Sequence, residues 1–468
     1  MNSYQEIRIL KKKQDILYRY KEKNSNLIRF YILICHVQIQ IYIMKIKWIM
    51  KRYLKRNGFN QINSSRKKKC DNNKSSQTKI MSRRNNADSH IQTLVLMQSE
   101  RQQFQAEYWM VLNLCGQLTP LSFQDLLPGK SLGEWRKIGG GAYGDVFGLY
   151  NENRPIKVLK IVPVNNGNND YFGQRQETLT NVHPEIVASL NLCSLSKNET
   201  NRTSGFAQVK SVYFIRGKFP DELRKAYRNF HLGRKMPDFY SAQVSHKQLY
   251  IVYDMEYGGY PLLKSLQIRP CQAVSIFRQA AFSLAVAETE LEFEHRDLHL
   301  CNILIKPTRI KSLTYFISGK NFEVPTVGIL ATIIDFTFSR LKKGEVILFR
   351  NLNEFKFKGE TLQHKIYRAS KKIINNKWEE YDPYTNILWL YFLISNMIND
   401  LKECMDMFTD EKSKTAFRQL ITWKYSILKY SSATHFVLGS RDYTVSDNYE
   451  NIKDLLKSFS NCSCFFIP

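Results

Sequence analysis

Hydrophobic and polar residues change rhythm along the chain, and the changes predict where structure begins. From Leu27 to Met50 apolar residues crowd together: Phe30-Tyr-Ile-Leu-Ile-Cys35 is nearly continuous, then Val37, Ile39, Ile41 and Ile43 alternate with mostly polar neighbours. A membrane span needs about 20 mostly apolar residues. Arg29, His36, Gln38, Gln40, Lys45 and Lys47 interrupt this stretch, so no integral membrane span is expected. It also starts too late, and lacks the small-residue cleavage site, for a secretory leader. From Val111 the pattern turns globular. Trp135–Phe147 reads as strand, glycine turn, strand, and Pro155–Val162 as an apolar strand interrupted by two lysines. Pro184–Leu192 reads as a helix start with its proline in the first turn, where the missing N–H is harmless. Gln248–Tyr253 is a further strand, and Pro270–Phe293 an amphipathic helix with Val274, Phe277, Ala281 and Leu284 on one face. Ala331–Phe338 predicts a buried strand, and Tyr381–Ile394 a helix apolar nearly all round and therefore buried.

Composition sharpens that division. A chain of 468 residues has room for two or three domains, and 43% apolar with 13% aromatic content supplies a core. Charge is uneven: residues 1–90 hold 22 Lys and Arg against 5 Asp and Glu, a net +17 of the chain's +27. Lys51-Arg52, Lys55-Arg56, Arg66-Lys-Lys-Lys69 and Arg83-Arg84 stand among Asn and Ser. Residues 1–105 are therefore expected to form a basic, disordered amino-terminal extension. Such an arm suits nuclear import or non-specific contact with nucleic acid, and so chromatin association. Met81 offers a second start of translation. Nine cysteines, an odd number with no zinc-like spacing, indicate free thiols in a reducing compartment.

The candidate chemistry centres on His295-Arg-Asp-Leu-His-Leu-Cys-Asn302, between the amphipathic helix and the apolar strand Ile303-Leu-Ile305. This is the form of a protein-kinase catalytic loop, with Asp297 to receive the acceptor's proton and Asn302 to hold Mg²⁺. Five further pieces stand in order. Gly139, Gly140, Gly141 and Gly144, with Val146, fit a glycine loop whose amides donate to phosphates. The extended residues after it favour this form over a dinucleotide site, which would continue as a helix. In the next strand Lys157 matches the position that pairs with the α- and β-phosphates, while Lys160 would point to the opposite face and into solvent. Glu185 would ion-pair with Lys157 and orient it. Asp254–Gly259 resembles a hinge for adenine, with Met255 at the back of the pocket and Glu256, Tyr257 and Gly258 offering backbone groups. Asp335, 33 residues past Asn302 at a strand end, supplies a second metal ligand. ATP and Mg²⁺ are the expected cofactors.

With these residues the chain resembles the haspin family of atypical serine/threonine protein kinases. Asp335-Phe-Thr337 lacks the usual glycine, His299 stands where most protein kinases place lysine, and no Ala-Pro-Glu follows. Phe293-Glu-His-Arg-Asp-Leu-His299 and Trp378-Glu-Glu-Tyr-Asp-Pro-Tyr-Thr-Asn-Ile-Leu-Trp-Leu390 look like the family's strings, and the likeness covers about residues 111–440. The resemblance implies a monomeric, two-lobed α+β kinase fold, with a small β-rich lobe in 106–255 and the hinge and helical lobe in 256–468. It also implies phosphorylation of a threonine near the amino end of histone H3 by a nuclear enzyme on mitotic chromosomes, without activation-loop phosphorylation. The family binds this basic tail with acids around the cleft. Here Gly140, Pro261 and Leu263 stand where acids are expected, and Glu354 and Glu360 are accompanied by Lys356, Lys358 and Lys365. Each lost exposed pair removes about 0.2–1 kcal/mol of affinity for a basic peptide. The alternatives are a diverged protein substrate, or a pseudokinase acting as a nucleotide-binding scaffold on chromatin.

Overall fold

In a computed structural model of the protein, residues 101–127, 133–165, 176–233, 240, 246–264 and 268–439 are described. All lie in one body, His90–Pro468. The Leu27–Met50 patch, the basic clusters and almost all of the expected disordered arm fall outside the described residues. Among those described, no helix is long and apolar enough to cross a membrane. Residue 105 does not bound the folded part: a helix over 101–114 crosses it, with Val111 and Leu112 buried against the Leu179–Ser194 helix and its neighbouring strands.

Strands β1 (Glu134–Gly140), β2 (Asp145–Asn151), β3 (Arg154–Val164), β4 (Val209–Arg216) and β5 (Leu249–Met255) form one antiparallel sheet in the order β1-β2-β3-β5-β4. Alternation divides β3 between two cores. Leu159 and Ile161 join Trp135, Phe147, Leu149 and Tyr250 on one face. Val162 and Val164 meet Leu179, Val182 and Ile186 of the Leu179–Ser194 helix on the other. Val158, Lys160 and Val162 share parity, so the strand itself aims Lys160 at that helix. The helix starts five residues before Pro184, because Thr178 caps it by accepting from the Asn181 amide at 3.2 Å. Pro184 therefore lies inside the helix and not in its first turn. Burial of Leu179, Val182 and Ile186 on either side of it offsets the missing backbone bond.

The second lobe is built on the helices Pro270–Leu291 and Tyr384–Lys402. Both are buried along most of their length. The near-continuous apolar sequence of Tyr384–Lys402 requires this, whereas Pro270–Leu291, expected to bury one face, is buried all round from Gln279 to Glu288. A small antiparallel sheet of Tyr260–Pro261, Ile303–Pro307 and Ile329–Ile333 lies beside them. The last of these strands stops at Ile333, two residues before the aspartate expected to end it. Asp335 then adopts φ 64°, a left-handed conformation that strand pairing does not allow. The molecule is thus a two-lobed α+β fold, with a sheet lobe of which β5 is the last strand and a helical lobe after it.

Candidate active site

The glycine loop is closed by the Gly141 amide donating to Gly144 O at 2.9 Å. Gly144 allows a close approach: a Cβ there would lie 2.6 Å from Ile161 O. At Gly141 nothing lies within 4 Å of the same position. Gly139 pairs with Val146 across the β1–β2 turn. Beneath the loop, buried Lys137 makes an ion pair with Asp145 and donates to Gly139 O at 2.8 Å. Tyr240 holds the other Asp145 oxygen at 2.6 Å.

The lysine in the cleft is Lys160, which corrects the assignment of Lys157. Lys160 Nζ lies 2.8 Å from Glu185 Oε1 and 3.2 Å from Asp335 Oδ1, joining residues 175 apart in sequence. Lys157 instead pairs with Asp254 at 3.2 Å, on the other face of β3. Three positions separate the two lysines, and a strand sends such residues to opposite sides. Glu185 keeps its predicted task with this different partner. One signal could have identified it: Lys160 interrupts the buried run Val158–Val164, and a lysine there requires a carboxylate. Lys157, next to exposed Ile156 at the strand's start, does not. Burial opposes the charge on Lys160, but Asp335 and Glu185 outweigh it and its pKa rises. Asp335, partly desolvated but still in contact with water, is held below the usual carboxylate range, chiefly by Lys160. The Thr337 hydroxyl lies 2.6 Å from Asp335 Oδ1 and 3.1 Å from Glu185 Oε2, a bridge that glycine at this position could not make.

The catalytic loop is pinned from three sides. Arg296 has φ 64° and is buried, donating to Glu294 at 3.0 Å and to the carbonyls of Trp378 and Glu380 at 2.6 and 2.9 Å. His295 Nε2 lies 3.0 Å from Ile334 O, and its Nδ1 accepts from the Asp297 amide at 3.3 Å. Burial pushes its pKa down to about 4, so the ring is neutral as these bonds require. The Ile334 amide donates to Asn302 O at 3.0 Å, which fixes the Asp335 loop on the catalytic loop. Asp297, Asn302, Asp335, Lys160 and Glu185 are thus linked through one continuous set of bonds.

Asp297 has a partner that sequence reading missed. Tyr367, on the helix Leu362–Ile373, donates its hydroxyl to Asp297 Oδ1. Stacking on Phe357 at 4.3 Å and an edge contact with Trp389 at 5.2 Å fix the ring. Gln363, one turn earlier on the same helix, also bonds Asp297. Burial raises the Asp297 pKa, and these two donors oppose it. His299 Nε2 stands 3.7 Å from Asp297 Oδ2, on the side away from Tyr367.

Asn302 Nδ2 donates to Asp297 O at 2.9 Å, leaving the amide oxygen as the group able to take a cation. With the Asp335 carboxylate it forms a hard oxygen set suited to Mg²⁺, which normally completes its shell with water and phosphate oxygens. Among the described residues no cluster of three or more His, Cys, Asp or Glu could hold a metal alone. At the hinge, Met255 packs on the core beside the Leu179–Ser194 helix. The Glu256 amide is taken by Gln208 O at 2.9 Å and the Tyr257 carbonyl by Lys306 at 3.3 Å. These bonds take up the Glu256 amide and the Tyr257 carbonyl, two of the backbone groups expected to face a base.

Similarity to known proteins agrees with this geometry. The family described as haspin-like kinase domain matches residues 3–433, reaching further towards the amino end than the expected 111–440. Serine/threonine-protein kinase haspin from Mus musculus is 37% identical over 333 residues, 68% of this chain and 43% of the relative. The Bos taurus protein of the same name is 36% identical over 68% of this chain and 41% of its own length. A haspin homolog from Drosophila melanogaster is 31% identical over 69% and 59%. The chain spans about half the length of these curated relatives. On the family match over most of its length, this chain belongs to the haspin-like kinase domain family.

Proposed function

We propose that the protein is a serine/threonine protein kinase that transfers the γ-phosphoryl group of ATP to a protein hydroxyl with Mg²⁺ bound. The observation that carries this reading is the Lys160–Glu185–Asp335 cluster, bonded through Ile334 to the loop that presents Asp297 and Asn302. Phosphoryl transfer is mainly positioning and charge stabilisation. Lys160 and the backbone of the glycine loop would hold phosphates, and Asp335 and Asn302 would hold the cation. Asp297, steadied by Tyr367 and Gln363, would accept the proton of the incoming hydroxyl. None of these groups is missing, which favours turnover over a scaffold.

Histone H3 threonine is the substrate that the family likeness supports, with action in the nucleus on mitotic chromosomes. The basic residues before 90 are suited to a chromatin tether, and the chain to work as a monomer. A diverged substrate is supported by a separate observation. Glu360 is already engaged by Lys365 at 3.4 Å and Arg368 at 3.6 Å, so a carboxylate expected to meet a basic tail has cations of its own. Phosphorylation of an oriented peptide library, with the H3 amino-terminal peptide included, tests both. Incorporation that Asp297→Asn abolishes supports the kinase; equal background from both proteins refutes it. Preference for basic flanking residues supports the histone reading, and preference for acidic ones the diverged substrate.

A further inference from the structure

Arg350 follows the hairpin Arg340–Lys343/Val346–Phe349 in the segment after Asp335, and is 2% exposed. A charge buried this deeply needs a reason. Its Nη1 lies 2.9 Å from Glu177 Oε1, and Glu177 is as buried as Arg350. The position of Glu177 makes the contact matter. Its amide donates to Pro163 O at 3.0 Å and its carbonyl accepts from Asn165 at 2.8 Å, which ties it to the end of β3, the Lys160 strand. One residue later Thr178 caps the helix that carries Glu185, and Glu177 Oε2 accepts from Asn181 in the first turn of that helix at 2.9 Å. The guanidinium also faces the Tyr143 ring at 4.6 Å, and Tyr143 belongs to the tip of the glycine loop. Phe338 and Phe355 lie at 5.5 and 5.7 Å, the half-exposed Glu354 carboxylate approaches Nη2 at 3.9 Å, and Tyr143 meets Phe338 edge-on at 6.5 Å.

We propose that Arg350 is a positioning residue: from the segment after Asp335 it fastens both the glycine loop and the start of the Glu185 helix over the nucleotide site. Many kinases order that segment by phosphorylation, through a new pair between phosphate and arginine. Here the same join is made by a permanent cation on the segment and a permanent carboxylate at the helix. The inference rests on the reading that this cleft binds ATP, and predicts that Arg350 acts on nucleotide binding more than on acceptor binding.

The test uses the full chain with Arg350→Met, Arg350→Lys and Glu177→Gln, all below their unfolding temperatures. Affinity for a non-hydrolysable ATP analogue with Mg²⁺ is measured by calorimetry, and amide exchange is followed over 179–194. KM values for ATP and for the acceptor peptide are compared. Arg350→Met is expected to weaken nucleotide affinity about tenfold, in the usual range of coupling between sites. It should lower protection over 179–194 and leave the acceptor KM within twofold. Glu177→Gln should move both readouts the same way, and Arg350→Lys should recover part of the loss. A folded Arg350→Met protein with unchanged nucleotide affinity and unchanged helix protection overturns the inference, as do equal losses for nucleotide and acceptor. Wild type that binds nucleotide without phosphorylating refutes the kinase reading and leaves Arg350 to be judged by calorimetry and exchange. Wild type that binds no nucleotide removes both.

Discussion

Replacing Lys160 by Met, beside the same change at Lys157, tests the placement of the nucleotide most directly. Lys160 Nζ is within hydrogen-bonding distance of Glu185 and Asp335, and its side chain is 18% exposed. Its removal takes away a fixed cation aimed at developing phosphate charge, and such a loss lowers turnover about 10²–10³-fold. It also leaves Glu185 buried without its cation, a change that can cost about 3–5 kcal/mol when nothing relaxes. Two features place this chain at or below the lower end. Asp335 retains water contact, with its side chain 39% exposed, and Glu185 is already biased by burial towards the neutral form. Thermal unfolding of Lys160→Met should therefore show a moderate drop, with a folded protein remaining for steady-state assay of kcat/KM on a peptide acceptor. Lys157→Met separates Asp254 from its cation on the far face of the sheet and should cost about 1–3 kcal/mol of stability. Below its unfolding temperature it should keep at least a third of wild-type turnover, because an interaction outside the transition state does not raise the chemical barrier. Lys160→Met retaining more than a tenth of wild-type kcat/KM, or Lys157→Met losing more than Lys160→Met, would refute this placement.

Tyr367→Phe keeps the ring stack on Phe357 and removes only the donor to Asp297. A hydrogen bond to a charged group is worth about 1.5–3 kcal/mol, so kcat should fall about 10–100-fold with the KM for ATP unchanged; a fall below twofold would show that Asp297 needs no such partner. Acid stability follows from His295, whose pKa is pushed from 6.5 down to about 4 by burial. Below pH 6.5 the unfolded chain takes up a proton that the folded one refuses, so stability is complete above 6.5 and is lost as pH falls towards 4. Between pH 7 and 5 this amounts to about 2 kcal/mol. Urea unfolding of wild type and His295→Gln at both pH values should show the substitution removing that difference, and parallel losses in the two proteins would assign the acid sensitivity elsewhere.

The parts of the site legible in the sequence are those whose chemistry is local. Asp297 and Asn302 lie five residues apart in one loop, and Asp335 follows a buried strand, so motif and order were enough to single them out as candidates. The two strings that carry the family likeness turn out to touch. The Asn386 oxygen accepts from the His295 amide at 3.0 Å, its Nδ2 donates to Phe293 O at 2.9 Å, and Thr385 donates to Glu294 at 2.6 Å. A buried polar network of this kind must be satisfied throughout, so its residues read clearly. What the sequence hid were choices between neighbours and partners far along the chain. Lys157 and Lys160 both fit a lysine in a strand, and only packing against the Leu179–Ser194 helix separates them. Tyr367 stands 70 residues from Asp297, and nothing in its surroundings in sequence marks it as more than a core aromatic.

The acceptor side of the cleft differs from the nucleotide side in the same physical terms. Each position where an acid was expected has become part of the frame. A Cβ on Gly140 would fall 2.5 Å from Asp145 Oδ1 and 2.6 Å from Lys137 Nζ, so an acid there would have to displace a buried ion pair. Pro261 lies in the short strand that pairs with Leu304. Leu263 packs against the core of the helical lobe, where a carboxylate would lose its hydration without gaining a partner. Glu354 and Glu360 remain, both largely exposed, the first 3.9 Å from Arg350 and the second 3.4 and 3.6 Å from Lys365 and Arg368. The missing acids therefore do not form a set that single substitutions could restore. Lys160 is paired both with Glu185 of its own lobe and with Asp335 of the other, whereas Glu360 meets its cations only at the exposed surface.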